Sequence, residues 1–135
     1  VTRHDFFGPS AKLDHVGLVV RSIAKISPDE ETVSDPIQKV NIAFVNFHDT
    51  KVEFLEPHDE SSPVWKSLTK GEKLLHLCYE VDDLDEALQR GRQHGFHCIR
   101  RPVPAVAFNN RLIAWVYHAE FGLFELLQRE KPEQE

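Results

Sequence analysis

Four residues carry the chemistry open to this sequence: His15, Glu53, His76 and Glu125. Each stands inside an apolar run: residues 13–20 (LDHVGLVV), 51–56 (KVEFLE), 74–81 (LLHLCYEV) and 123–128 (LFELLQ). A carboxylate withdrawn from water into such surroundings is costly unless something neutralises it. Two neutral imidazoles and two carboxylates offer that partnership to one divalent cation, and nitrogen and oxygen donors suit Zn, Fe, Mn, Co or Ni. Taken singly, a mid-strand histidine is ordinarily a hydrogen-bonded core residue, and a mid-strand glutamate lies on a solvated face. Their arrangement favours the metal.

That arrangement is a repeat. Leu13-Asp14-His15-Val16 aligns with Leu74-Leu75-His76-Leu77, and Lys51-Val52-Glu53-Phe54-Leu55 aligns with Leu123-Phe124-Glu125-Leu126-Leu127. Each half opens with a strand carrying one histidine and closes with a strand carrying one glutamate. Alternation assigns the faces. His15 shares one with Leu13, Gly17 and Val19, against Val16, Leu18 and Val20; His76 shares one with Leu74, Cys78 and Glu80. The opposite faces are expected to be the apolar ones that pack on helices. Gly17 marks a place where another group can approach closely.

The elements that must position these residues follow from local signals. Residues 1–12 lack periodicity and read as an irregular arm. After the strand at 13–20, a weak helical turn at 22–26 is stopped by Pro28 and by Asp29, Glu30 and Glu31. Strands at 40–47 and 51–56 flank a turn at His48-Asp49-Thr50, which predicts a hairpin. Ser62 and Pro63 open a short helix to residue 68. The pattern then restarts: a strand at 74–81, a helix capped by Asp83 or Asp85 and ended at Gly95, and strands at 96–99, 111–118 and 123–128. The run from Arg129 to the end reads as a frayed tail. The expected class is therefore α+β, one domain of two βαβββ modules, 12–57 and 73–128, joined by a linker at 58–72.

Composition narrows the function. The chain has 135 residues, 41% hydrophobic and 28% charged, enough for one soluble globular core. Sixteen Lys and Arg against 22 Asp and Glu give a net charge of −6, which argues against a general nucleic-acid binder. The longest charge-free apolar run, 102–110, is too short to span a bilayer, and no basic-then-apolar leader is visible, so a cytoplasmic protein without a membrane partner is expected. Cys78 and Cys98 lack CxxC spacing and read as buried thiols of a reducing compartment. No GxSxG, P-loop or GxGxxG occurs. His48, His58, His4 and His94 fall at turns, in the arm or at a helix end, which leaves His97 and His118 as the only reserve ligands.

At residues 13–20 (LDHVGLVV), 75–84 (LHLCYEVDDL) and 122–127 (GLFELL) the sequence resembles the vicinal oxygen chelate superfamily, most of all its methylmalonyl-CoA epimerase and glyoxalase-like branch. The resemblance spans roughly residues 12–128. It implies paired modules curling into an open, partly closed β-barrel with flanking helices, around a divalent metal. By motif position it places the metal on His15, His76 and Glu125, with Glu53 at the variable third-strand position. It further implies an isomerase or lyase that stabilises an enolate on a small oxygenated substrate, with Glu53 and Glu125 as the catalytic carboxylates. If the substrate is a CoA thioester, Arg100, Arg101 and Arg111 are candidates for its phosphates. Two features depart from the pattern. Pro28 truncates the first helix, and Ile37 stands where epimerases carry a base glutamate. A non-catalytic, antibiotic-sequestering protein on the same fold is the alternative, and an extradiol-type dioxygenase ranks third. A homodimer is expected, because short strands leave unpaired edges.

Overall fold

Strands form at nearly every expected place in the computed structural model, which describes residues 1–130. Eight strands and three α-helices make an α+β protein: β1 (Lys12–Val19), α1 (Ile23–Ile26), β2 (Val33–Asp35), β3 (Val40–Phe47), β4 (Thr50–Pro57), α2 (Trp65–Thr69), β5 (Leu74–Val81), α3 (Leu84–Gln93), β6 (His97–Ala105), β7 (Arg111–His118) and β8 (Gly122–Gln128). The order β1-α1-β2-β3-β4 and then β5-α3-β6-β7-β8 gives βαβββ twice. The first copy is completed by β2, a three-residue strand that the sequence does not advertise. Among the described residues no helix is long and apolar enough to cross a membrane.

The chain forms two compact units, residues 15–77 and residues 1–14 with 78–130. In the first, the strand order is β2-β3-β4-β1. The β3–β4 hairpin closes through His48, whose φ of 55° is the left-handed value a tight turn demands. Strand β1 runs parallel to β4 and sets Gly17 beside Glu53. The expected brevity of α1 is observed: one turn, capped by Ser22 Oγ accepting from Lys25 N. Its first amide, Ile23 N, donates to Glu56 Oε1 at 2.9 Å, and Asn41 Nδ2 donates to the other oxygen of that carboxylate. Ile23 then packs with Ala43, Val52 and Phe54.

In the second unit the order is β8-β7-β6, with residues 78–81 of β5 beside β8. Asp83 caps α3 through Glu86 N, and Gly95, at φ 89°, follows its end. The core joins Val81, Leu84, Ala87, Phe96, Ala114, Val116 and Leu126 to Phe7 of the arm.

Several expectations change. The arm is irregular yet anchored, with Phe6 5.1 Å and Phe7 4.8 Å from the Phe96 ring. Strand β6 runs to Ala105 rather than stopping at Ile99, because register shifts after Cys98 and Arg100 carry it past a stretch that defeats simple alternation. Cys98 is exposed while Cys78 is buried, since β6 is an outer strand. Helix α2 starts at Trp65 with no side-chain cap, because Ser62 Oγ reaches only Val64 N. Arg129 is not frayed: it pairs with Glu80 at 3.1 Å and with Asp82. The rest of the expected tail, 131–135, lies outside the described residues. On β1 the face of His15, Gly17 and Val19 is the more deeply buried one, with Leu18 and Val20 half-buried opposite.

Candidate metal centre

Three of the four candidate ligands converge within residues 15–77. Strand β1 brings His15, its parallel neighbour β4 brings Glu53, and the start of β5 brings His76. His15 Nε2 lies 3.2 Å from His76 Nε2, and Glu53 Oε1 lies 3.3 Å from the first and 3.4 Å from the second. The three atoms form a nearly equilateral triangle. His15 is 0% exposed, and Glu53 and His76 are 2% exposed, so water does little to screen them. The two rings meet edge to face at 84°, and the edge of Phe44 supports His15 from β3, at 5.6 Å. Phe44 pairs directly with Glu53 across the β3–β4 ladder. That pairing was the available signal for a positioning role the sequence reading passed over.

This donor set suits a divalent cation. Imidazole nitrogens and carboxylate oxygens bind such ions at about 2.0–2.2 Å. Two ligands at that radius, separated by the angles of octahedral or tetrahedral geometry, stand about 3.0–3.5 Å apart. The observed triangle has that spacing. A pair of facing imidazole nitrogens can share only one proton, whereas a cation engages both lone pairs and the carboxylate together.

Glu125 lies in the other unit, on β8 opposite Trp115 of β7, and is 2% exposed. The reserves do not join in. His97 is exposed at the start of β6, and His118 Nδ1 accepts from Glu120 N and Phe121 N at a turn. His58 Nε2 sits 3.0 Å from Ser34 Oγ and 3.1 Å from Asn41 Oδ1, holding β2 to its neighbours.

One buried carboxylate was missed. Asp35 is 2% exposed, and its oxygens accept from Ile37 N, Gln38 N and Gln38 Nε2 at 2.9, 3.1 and 3.0 Å. Three local donors satisfy it, so its work is to shape the β2–β3 turn. Ile37 in that turn is 46% exposed, and its alkyl side chain cannot carry a proton. Among the arginines, Arg111 is committed internally: it donates to Glu80 Oε2 at 3.1 Å and to Gln128 O at 3.3 Å. Asp59 is held below the ordinary carboxylate range by the Ser61 hydroxyl and then by the Ser61 amide.

Paired βαβββ motifs carrying buried histidines and glutamates on their strands define a glyoxalase-like protein. Residues 14–115 match the family model described as Glyoxalase/Bleomycin resistance protein/Dioxygenase superfamily, and the chain belongs to that family. The ethylmalonyl-CoA/methylmalonyl-CoA epimerase of Cereibacter sphaeroides is 29% identical over 98 residues, covering 70% of this chain and 73% of that protein. The uncharacterized protein YqjC of Bacillus subtilis is 32% identical over 117 residues, covering 78% and 81%. The crystal structure of methylmalonyl-CoA epimerase from Mycobacterium tuberculosis shares the fold, with a TM-score of 0.71 at 23% identity over 88% of each chain.

Proposed function

We propose that this protein is a divalent-metal-dependent isomerase of the acyl-CoA epimerase type, with His15, Glu53, His76 and Glu125 as its ligand and proton-handling set. The observation that carries the reading is the buried His15–Glu53–His76 triangle. The likeness to an acyl-CoA epimerase supplies the substrate class. A cation held there would act as a Lewis acid toward a carbonyl oxygen and stabilise the charge of an enolate. His15 and His76 would offer ring nitrogens to the ion. Glu53 supplies the compensating negative charge. Glu125, at the matching position of the second module, would complete the ligand set, and one of the two carboxylates, Glu53 or Glu125, would carry the proton at the α-carbon. With Arg111 engaged by Glu80, Arg100 and Arg101 remain to meet the CoA phosphates.

The test is isotopic. The protein, reconstituted with Co or Zn, is incubated with one epimer of a 2-methylmalonyl-type CoA thioester in deuterated water. Deuterium at the α-carbon, with loss of optical purity, is expected. Absence of any exchange with metal bound would refute the assignment.

Ile37 favours a second reading, a non-catalytic binding protein, because it removes one proton carrier from the expected set. That alternative requires unchanged ligand binding after exhaustive chelation, whereas the enzyme reading requires chelation to abolish turnover.

The same proposal includes a homodimer. Ile99 on β6 and Leu112 and Tyr117 on β7 are 60%, 42% and 48% exposed, apolar surface at the outer part of the unit's strand order. Sedimentation at micromolar concentration should give twice the chain mass, and a monomer would contradict it.

A further inference from the structure

We propose that Gly17 is a positioning residue for His76: the side chain missing at residue 17 is the space in which the imidazole lies. This rests on the metal-site reading above. A Cβ at residue 17 would stand 2.2 Å from His76 Cε1, 2.4 Å from Nδ1 and 2.8 Å from Nε2. Unbonded carbons rest about 3.5–4.0 Å apart, so the conflict far exceeds what small adjustments relieve.

Two further observations separate this role from an ordinary strand glycine. Gly17 is absent from the positive-φ residues, so alanine would meet no backbone strain there. The three nearest obstacles are all atoms of the ring. The ring also has little freedom to yield in place, because His15 meets it edge to face with centroids 5.3 Å apart and Glu53 Oε1 stands 3.4 Å from its Nε2. A methyl group at residue 17 must therefore swing the imidazole into another rotamer and carry Nε2 out of the triangle. Since Gly17 pairs with Glu53 across β1 and β4, one strand position both flanks the carboxylate and receives the imidazole. A glycine inside a strand weakens it, and the slot is what that weakness provides.

The experiment is a double-mutant cycle on the whole chain: wild type, Gly17→Ala, His76→Ala and the double variant. Cobalt affinity by chelator competition, the visible cobalt spectrum and metal-free urea unfolding are read for each. Gly17→Ala should weaken cobalt binding about 10- to 100-fold, the range for losing a group that orients a ligand. It should also shift the cobalt spectrum and lower the metal-free unfolding midpoint. In the His76→Ala background, read by metal-free unfolding, the same change should cost no stability, because the ring it collides with is gone. Additive effects in the two backgrounds, or a Gly17→Ala protein with wild-type affinity and spectrum, would overturn the proposal. A wild type that binds no divalent metal would sink the metal-site reading by itself. The metal-free unfolding cycle would still decide whether the slot exists.

Discussion

Replacing His76 by alanine is expected to strip the divalent ion from the protein and leave the chain folded. The imidazole contributes one corner of the 3.2–3.4 Å triangle, and two remaining donors in that unit make a far weaker chelate. Folding should persist because the strand is held by other means. Cys78 and Val81 are buried on it, and Val19 N donates to Lys73 O at 2.9 Å just before it begins. The cavity left by the ring should cost about 1–3 kcal/mol, within the ordinary range for a buried truncation. Metal content by mass spectrometry and a urea transition measure the two effects. The control is His48→Gly. His48 is an exposed turn residue at φ 55°, where glycine is unstrained and alanine is not, so both quantities should stay at wild-type values. A His76→Ala protein that kept its full complement of metal would return both histidines to a purely structural role.

The second large effect is expected at Glu125. Glu125→Gln preserves volume and removes the charge that either role requires, so on the assignment above kcat should fall by about 10²- to 10⁴-fold. KM should move little, because the amide occupies the same space. Circular dichroism should be unchanged, since Leu126 and Leu127 beside it are fully buried and keep β8 in place. Turnover within a factor of two of wild type would remove Glu125 from the catalytic assignment.

Much of this site could be read in advance because its residues break a pattern. An imidazole or carboxylate amid continuous apolar strand sequence is conspicuous, and the repeat doubles the signal. The βαβββ order came through for the same reason. What stayed hidden is what local polar geometry supplies. Asp35 went unnoticed because the donors that make its burial tolerable are its own neighbours, Ile37 N and Gln38 N. Strand β2 was lost with it, being three residues long and polar at two of them. The end of β6 was hidden by Arg100, Arg101, Pro102 and Pro104, which fit an outer strand with shifted register and no regular alternation. The arm is irregular as expected, but its anchoring went unread because Phe6 and Phe7 act by ring packing, which has no period. Alternation assigned the two faces of β1 correctly, and Leu18 and Val20 do pack with Ile23 of α1, but the side carrying His15 is the deeper one.

The second unit is built from segments far apart in the chain, and that sets a timetable for its birth. Residues 15–77 are contiguous, so their pairings can close while the ribosome is still working. Phe6 and Phe7 emerge well before Phe96 and Phe124, the rings they are destined to meet at about 5–6 Å. At translation rates of about 5–20 residues per second, the arm waits on the order of ten seconds with its aromatic pair uncovered. The nascent chain thus carries an uncovered aromatic pair until Phe96 and Phe124 are made. A message truncated before β8 would leave Phe7 with Phe96 but without Phe124.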